Sequence, residues 1–323
     1  MKAKLLMTMA AATMILAGCS NDENEPTDNW NGEIRLTSGV TAQTRANTQA
    51  TQILSGETVY AWADKAPSTA DYIKAWTLTA GSSGSFTGNS QYYPTDDSKL
   101  EFYALHGNFK DATFTENTTA FPSTAIVHSV EADQSGSDMK GYAKSDLLYA
   151  VKKDVERSKK AVALTFYHML SKVEVALKAG DGTPNLKDAI VTIEGTKLKA
   201  DFTPAKSATI PDDLGNMVSA TSNANDAAAI QIGNATSSDF SNPTYNEAII
   251  VPQTLANGTP FIKVTLSDNA SLVYPLGAQT EFKSGKKYIY QITAKKTGLE
   301  VTSTIADWEA VSETPTSGDA VMQ

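Results

Sequence analysis

Residues 161–178 of the 323-residue chain read AVALTFYHMLSKVEVALK, and this stretch decides the fold class. Apolar and polar side chains alternate along it at the two-residue period of a β-strand with one buried face. The inward positions are Val162, Leu164, Phe166, His168 and Leu170 in the first half, and Val173, Val175 and Leu177 in the second. The alternation therefore changes face at Ser171 and Lys172, which predicts a bulge or bend in one long strand.

Strand-like segments recur on both sides of this stretch, each bounded by Gly, Ser, Asn, Asp or Pro. The segments before it are 57–63, 75–79, 100–106 and 145–151, and those after it are 189–194, 247–251, 261–266, 271–276, 287–294 and 299–305. Long segments with helical periodicity are absent, so βαβ units are not expected. The pattern predicts an all-β chain of antiparallel Greek-key β-sandwiches, with barrels as the alternative that strand patterns separate poorly.

Polar segments divide these strands into two groups. Residues 81–85 and 134–141 are predicted turns or loops, and the stretch 206–229, rich in Asn, Asp and Ser, is predicted to form a long loop. We place a domain boundary near residue 158, within a charged segment, with one domain at 46–158 and a second at 159–323. Two domains also agree with the usual ~100 to 200 residues per domain.

The first 18 residues have the pattern of a bacterial lipoprotein signal peptide. Lys2 and Lys4 precede an apolar run at 5–16 that is too short to span a bilayer. The sequence Leu16-Ala17-Gly18-Cys19 then resembles the lipobox cut by the lipoprotein signal peptidase. We predict that Cys19 becomes the acylated first residue of the mature protein and tethers it to a membrane through several acyl chains. A buried core thiol is the weaker alternative, because a polar run follows directly.

The residues after Cys19 predict a removable segment. Residues 20–28 are too polar to fold and predict a solvated tether, whereas Ile34, Leu36 and Val40 share one face of a short strand. An isolated Arg45 precedes Ala46. If this peptide bond is exposed, an Arg-specific protease would release residues 19–45 as a propeptide. Loss of the strand would leave a sheet edge that accepts a strand from another chain.

The C-terminal tail is the candidate donor of such a strand. After Trp308 the tail is loop-like, and its apolar side chains are sparse. The candidate donor residues are Val311, Ala320, Val321 and Met322. A frayed tail accounts for these residues equally well.

Charge and cysteine content exclude several classes of partner. The formal net charge of −9 repels phosphate backbones, so nucleic acid is not expected to bind. Cys19 is the single cysteine, so an internal disulfide and a thiolate metal cluster are excluded.

Candidate catalytic or metal-binding residues do not assemble into a recognisable motif. No nucleophile-elbow, P-loop or zinc-protease pattern is present, so we expect neither enzymatic activity nor a cofactor. His106, His128 and His168 lack metal-ligand spacing and are expected to be hydrogen-bonded sheet residues. Asp133 and Asp138 lie in a segment that lacks the ligand series of a calcium loop, and a solvated turn is expected.

Aromatic residues leave a second function open. Side chains that could stack on sugar rings are Trp30, Trp62, Trp76, Trp308, Tyr92 and Tyr93. Aromatic residues in strands more often belong to the core.

Several segments together resemble the fimbrillin family, the Mfa-like and FimA-type subunits of type V pili, over nearly the whole chain. The resemblance rests on the lipobox, on the strand followed by Arg45, and on four further segments. These are SDLLYA at 145–150, FYHMLSKV at 166–173, GKKYIYQIT at 285–293 and TGLEVTSTIADW at 297–308.

The resemblance implies two transthyretin-like β-sandwich domains, lipoprotein transport to the outer membrane, cleavage after Arg45 and polymerisation with other fimbrial subunits by strand exchange. It also implies that His168 and Lys172 are sheet residues of the second domain and not catalysts. A strong donor strand has alternating apolar side chains, and the weakly apolar tail departs from that pattern. The alternative is therefore a monomeric surface adhesin or glycan-binding lipoprotein, acting as a tip, accessory or anchor component that binds a host or bacterial surface ligand.

Overall fold

The computed structural model describes residues 30–40, 53–68, 70–138 and 140–308 and the strand Thr316–Asp319. From Gly32 onward the chain forms one compact unit. Strands dominate it, because β-branched and aromatic residues alternate with polar ones through most segments. Among the described residues, no helix is long and apolar enough to cross a membrane.

The described residues contain twenty-one strands and two short α-helices. The first eight strands are β1 Leu36–Val40, β2 Thr58–Lys65, β3 Asp71–Ala80, β4 Phe86–Gly88, β5 Leu100–His106, β6 Ile126–Ser129, β7 Leu148–Val155 and β8 Val162–His168. The next six are β9 Ser171–Ala179, β10 Ile190–Ile193, β11 Lys199–Phe202, β12 Val218–Ala220, β13 Ile230–Ile232 and β14 Asn246–Ile250. The last seven are β15 Gln253–Leu255, β16 Pro260–Thr265, β17 Ser271–Pro275, β18 Thr280–Phe282, β19 Lys286–Lys295, β20 Gly298–Asp307 and β21 Thr316–Asp319. The helices are α1 Lys140–Ser145 and α2 Leu214–Met217, and 3-10 turns lie at Ser82–Gly84 and Ala224–Asp226.

The first sheet has seven strands in the order β1-β8-β7-β5-β2-β3-β4. Its pairs are antiparallel except for β1 with β8, which are parallel. Strand β1 comes first in the sequence and lies at the end of this order, beside a strand that is more than one hundred residues away in sequence. The sheet therefore holds its first strand through a non-local contact.

The second half of the chain contributes a five-stranded sheet, β14-β9-β19-β20-β21, and a four-stranded sheet, β13-β10-β16-β17. The inward side chains of both sheets belong to one buried cluster, which includes Val175 on β9, Ile292 on β19, Val191 on β10 and Val264 on β16. Two smaller sheets, β12-β11-β6 and β15-β18, complete the fold. The prediction of an all-β chain built from β-sandwiches is confirmed.

The prediction of one long bulged strand over 161–178 is wrong. The stretch forms two strands, β8 in the first sheet and β9 in the second, with Met169 and Leu170 buried between them. The Met169 amide donates to the Leu147 carbonyl, just before β7, and the Leu170 carbonyl accepts from the Gly285 amide, just before β19. The two residues are thus bonded to segments that lead into different sheets. The change of face at Ser171 is therefore the passage between sheets.

Sheet membership also bears on the domain boundary predicted near residue 158. Strand β8 follows that position but pairs with β7 and β1, so the chain changes sheet at residues 169–170. The boundary at 158 stays a prediction. The long loop expected at 206–229 is interrupted by α2, by β12 and by a 3-10 turn, and β12 pairs with β11 through the Ala200↔Ala220 to Phe202↔Val218 register.

Candidate assembly interface

The segment that begins the fold is hydrogen-bonded on both sides. Strand β1 pairs with β8 from Leu36↔Val162 to Val40↔Phe166, and the Val162 amide donates to the Arg35 carbonyl over 2.8 Å. On the opposite side, the Ile34 amide donates to the Gln91 carbonyl over 2.7 Å. The Tyr93 amide likewise donates to the Gly32 carbonyl over 2.9 Å. Residues 32–40 thus fill a seat between two walls of backbone, which we call the β1 seat.

The inward face of β1 is the apolar face predicted from the sequence. Ile34, Leu36 and Val40 are all buried. Beside them in the same sheet, β8 contributes the buried side chains of Leu164 and Phe166. Burial of each large aliphatic side chain contributes roughly 1.5–3 kcal/mol, so this face supplies much of the binding energy of the strand.

A glycine allows the second wall to approach β1 closely. Gly84 has a φ of +74°, and a Cβ atom there would lie 2.3 Å from the Ser38 carbonyl oxygen. The Ser38 hydroxyl donates to the Gly84 carbonyl over 3.4 Å, and Thr37 forms an antiparallel bridge with Ser85. A side chain at position 84 would therefore force β1 away from this wall.

A cleft of about 430 Å³ runs beside the β1 seat, and its lining includes Glu33, Leu36, Trp76 and Phe86. The Trp76 indole donates to the Asn89 carbonyl over 2.8 Å, which fixes the floor of the cleft. At the rim, the Ser90 hydroxyl donates to the Glu33 carboxylate. The seat is thus bordered by space that an incoming side chain could occupy.

The C-terminal segment supplies a strand at the edge of the other sheet. Strand β21 pairs antiparallel with β20 from Ser303↔Thr316 to Glu300↔Asp319. Residues 316–319 of the tail therefore have an extended conformation and pair within their own chain. Several predicted site residues lie outside the described residues, namely Cys19, Arg45, Ala46, Val311, Ala320, Val321 and Met322.

The point at which the tail leaves β20 is fixed by a buried contact. The Trp308 ring stacks on the His168 imidazole, with centroids 4.3 Å apart and planes 7° from parallel. His168 Nδ1 lies 3.1 Å from Asp146 Oδ1, and all three side chains are buried. The Trp308 amide also donates to the Gly285 carbonyl over 2.8 Å. Sequence reasoning missed this cluster, because its members come from three distant segments with no motif spacing.

The other two histidines are also buried and hydrogen-bonded. His106 Nδ1 lies 2.9 Å from the Thr58 carbonyl, and His128 Nε2 lies 2.9 Å from the Ser145 carbonyl. Burial lowers the pKa of His128 to about 4, so its imidazole is neutral at pH 7. These residues are sheet histidines, as expected. Lys172 lies on β9 of the five-stranded sheet and His168 ends β8 of the seven-stranded sheet, so both are sheet residues as expected. Their assignment to the second domain stays a prediction, together with the boundary at 158.

The aromatic candidates for sugar stacking divide by exposure. Trp62, Trp76, Trp308 and Tyr93 are buried, so their ring faces are not available. Tyr92 is 44% exposed and Tyr72 is 41% exposed. The Tyr72 hydroxyl donates to the backbone carbonyl of Tyr92 over 3.0 Å, so the Tyr72 side chain reaches the backbone of the second tyrosine.

A protein-family model described as fimbrillin-like matches residues 44–308 of this chain. A candidate fimbrium subunit named Fim1C, from Bacteroides uniformis, is 26% identical over 331 residues, covering 95% of this chain and 96% of its own length. The match to the family model thus includes nearly all of the described residues.

Two crystal structures of candidate cell adhesion proteins share the fold. The one from Bacteroides uniformis superposes with a TM-score of 0.58 at 21% identity, covering 88% of this chain and 100% of its own. The one from Bacteroides ovatus gives a TM-score of 0.59 at 16% identity, covering 87% of this chain and 99% of its own. At these identities, the likeness supports the arrangement of sheets described above.

Proposed function

Because the chain belongs to the fimbrillin-like family, we propose that it is a structural, non-enzymatic subunit of a cell-surface fimbria. The observation that carries the proposal is the β1 seat, in which the first strand is bonded on both sides and buries its apolar face. Such a strand can be replaced by a strand of another chain, because an extended segment reproduces both the backbone bonds and the apolar contacts.

We further propose how the seat is vacated. Lipid on Cys19 delivers the chain to the outer membrane, and an Arg-specific protease then cleaves between Arg45 and Ala46. Residues 19–45 leave with the acyl chains and β1. The emptied seat accepts a strand from the tail of another fimbrial subunit, and Val311, Ala320, Val321 and Met322 are the candidate donor residues of this chain.

The partners and location follow from this sequence of events. Before cleavage the lipid holds the chain in the outer membrane, exposed at the cell surface. After cleavage the chain is held in the fimbrium by its neighbours alone. The protein partners are therefore the Arg-specific protease and other subunits of the same family.

The test uses the lipidated precursor, treated with an Arg-specific protease and analysed on unboiled, non-reducing gels. We expect Ala46 to become the N-terminal residue and a ladder of polymers to form. Arg45→Lys should prevent both results, whereas the matched change Arg35→Lys should leave both intact. If the precursor shows neither cleavage at Arg45 nor a ladder, the proposed assembly is wrong.

The exposed tyrosines support a second candidate function, a monomeric surface lipoprotein that binds glycans of a host or of another bacterium. Stacking of sugar rings on tyrosine faces needs accessible rings, and Tyr72 and Tyr92 provide two neighbouring ones. On a glycan array, binding by the uncleaved chain should disappear in Tyr72→Ala and Tyr92→Ala. Tyr92→Phe, which keeps the ring, should still bind. An array without binding by the wild-type chain would exclude this function.

A further inference from the structure

A turn from the second half of the chain places a lysine on the first sheet. Residues 205–208 form a tight turn, closed by the Ala208 amide and the Ala205 carbonyl over 3.1 Å. The Tyr149 hydroxyl of β7 donates to the same Ala205 carbonyl over 3.0 Å and so docks the turn against the sheet. Lys206 in this turn is directed toward β2 and β3.

The Lys206 ammonium meets two carboxyl groups. Asp64 on β2 and Asp71 on β3 are direct cross-strand partners. Lys206 Nζ lies 2.7 Å and 2.9 Å from the two Asp64 oxygens, and 2.7 Å from Asp71 Oδ1. Two carboxylates opposite each other repel, so this pair of strands depends on the lysine between them. Because Nζ contacts both Asp64 oxygens, it lies directly beside the Asp64 carboxyl carbon.

The three groups lie in largely apolar, aromatic surroundings. The Asp64 side chain has no exposed surface, and that of Lys206 is 23% exposed. Nζ is 5.4 Å from the ring centroid of Tyr103 and 5.2 Å from that of Phe121. The Asp64 carboxyl group is therefore shielded from water, so a charge on it depends on its partners.

The two carboxyl groups are not equivalent. Burial raises the pKa of Asp64, which favours its protonated form, although Lys206 opposes the shift. Asp71 Oδ2 instead accepts a hydrogen bond from the Phe121 amide over 2.9 Å. At Lys206, burial opposes the charged form, but the two carboxyl groups outweigh it and raise its pKa. The ammonium is thus the resting form, and any reaction of the amine is slow.

We propose that Lys206 and Asp64 condense into an intramolecular isopeptide bond. The fold holds the amine against the carboxyl group for the lifetime of the protein, and a fixed geometry of this kind provides a very high effective concentration. The bond has to form only once per molecule, so a slow reaction suffices. Condensation also replaces a poorly solvated ion pair by a neutral amide, which is the less costly species in an apolar site.

The proposed step balances without an added reactant. The Lys206 ammonium gives one proton to Asp64 and one to Asp71 as its nitrogen attacks Cγ of Asp64. A C–N bond forms, one C–O bond of the Asp64 carboxyl group breaks, and the oxygen leaves as water after it receives the proton held by Asp71. One ammonium and one carboxylate therefore become one amide and one water, and Asp71 ends as it began.

The consequence is a covalent tie between two parts of the fold. Residues 64 and 206 are 142 positions apart, so the bond closes a loop that includes β3 to β11. Closing a long loop restricts the unfolded chain strongly. A tie of this kind would resist pulling forces and proteases, and it acts inside one subunit, independently of the exchange of β1 between subunits.

The structure supplies a matched control for this proposal. Lys153 Nζ lies 2.7 Å from Glu101 Oε2 and 4.8 Å from the centroid of the same Tyr103 ring. This lysine contacts one carboxylate, and the side chains of Lys153 and Glu101 are 38% and 25% exposed, whereas that of Asp64 has no exposed surface. The distance and the aromatic neighbour are therefore shared, whereas burial and the second carboxylate are not. Lys153 should remain a free amine.

The experiment is peptide mapping of the purified full chain after denaturation and digestion with trypsin. We expect peptide 46–65 to be joined to peptide 200–263, with a combined mass lower by one water, because trypsin cannot cut after an acylated Lys206. Lys206→Arg and Asp71→Asn should yield free peptide 46–65, whereas Lys153→Arg should keep the joined pair. In Asp64→Asn, ammonia would leave in place of water, so the joined pair should have the wild-type mass.

Folded wild-type protein that yields free peptide 46–65 and complete cleavage after Lys206 would overturn the proposal. This measurement needs no variant, so it stands even if a substitution prevents folding. A joined pair that persists in Lys206→Arg would also overturn it, because another residue would then carry the bond. Persistence in Asp71→Asn would overturn the role given to Asp71 in proton transfer.

Discussion

Replacement of Leu36 by Ala should open the β1 seat while leaving the rest of the fold intact. Leu36 is 5% exposed and lies on the inward face of an end strand. Leu-to-Ala changes in cores lower the free energy of unfolding by about 2–5 kcal/mol. The lower end of this range applies here, because Leu36 lines a cleft and therefore makes fewer contacts than a side chain that is packed on all sides. A loss of about 2 kcal/mol raises the equilibrium constant for opening of the seat by roughly 30-fold.

Hydrogen exchange measures this opening directly. The amides of Val162 and Tyr93 donate to carbonyls of residues 35 and 32, one on each wall of the seat. Both should exchange roughly 30-fold faster in Leu36→Ala if the seat opens as a unit. Amides in the β19–β20 hairpin should be unaffected. Thr37→Ala, a change on the opposite face of the same strand, is the matched control and should leave both rates nearly unchanged.

Two results would refute this reasoning. Equal acceleration in Leu36→Ala and Thr37→Ala would mean that the backbone bonds hold the strand without the apolar face. Equal acceleration in the β19–β20 hairpin would mean that the whole molecule unfolds when β1 is weakened. In the second case the seat could not be emptied by proteolysis without loss of the fold.

Three further substitutions or conditions test other parts of the structure. Gly84→Ala should lower the free energy of unfolding, measured in urea, by at least about 1 kcal/mol more than Gly56→Ala does. Gly56 has a similar positive φ, but no atom lies close to the position of an added Cβ. The pKa of His128 is about 4 in the folded protein and about 6.5 in the unfolded chain. Between about pH 4 and pH 6.5 the unfolded chain therefore binds more protons at His128 than the folded protein does. Stability should therefore fall by about 2–3 kcal/mol as the pH drops from 7 to 4.5, and His128→Gln should reduce that loss. Trp308→Ala should lower the unfolding free energy by about 3–5 kcal/mol, whereas Trp308→Phe, which keeps a stacked ring, should cost less than half as much.

The alternation in residues 161–178 was sufficient to predict strands and their buried faces. It was not sufficient to predict which sheet each strand joins. A change of phase at Ser171 looks the same in sequence whether the strand bulges or passes to another sheet, because side-chain period reports the face and not the partner. The partners of β8 and β9 are set by contacts with segments far away in the chain, such as Leu147 and Gly285.

The burial of charged residues in strands is a second feature that the alternation does not predict. Lys172 and Glu174 occupy outward positions of β9, where a one-sided sheet would expose them, yet both are buried and their charged groups lie 2.7 Å apart. Helix α1 packs against the neighbouring strand β14, and its buried Tyr142 lies near Glu174 and Glu247. The side-chain amide of Gln134 exchanges two hydrogen bonds with the backbone of Ile249 and so caps the free edge of β14. When both faces of a sheet are covered, apolar and polar residues still alternate in the sequence, but the polar positions are no longer exposed to solvent.

The geometry of the β1 seat limits what could replace the first strand. If residues 32–40 left, the Val162 amide on one wall and the Tyr93 amide on the other would lose their acceptors, and Leu164 and Phe166 on β8 would lose their in-sheet neighbours on β1. An ordinary sheet edge offers backbone groups on one side only and accepts many kinds of strand. The β1 seat requires an extended chain that bonds to both walls and whose apolar side chains replace those of Ile34, Leu36 and Val40. A strand that offers backbone pairing alone would bind weakly. Under the proposed function, this requirement explains how an emptied subunit could remain selective for a donor strand and resist indiscriminate edge-to-edge association.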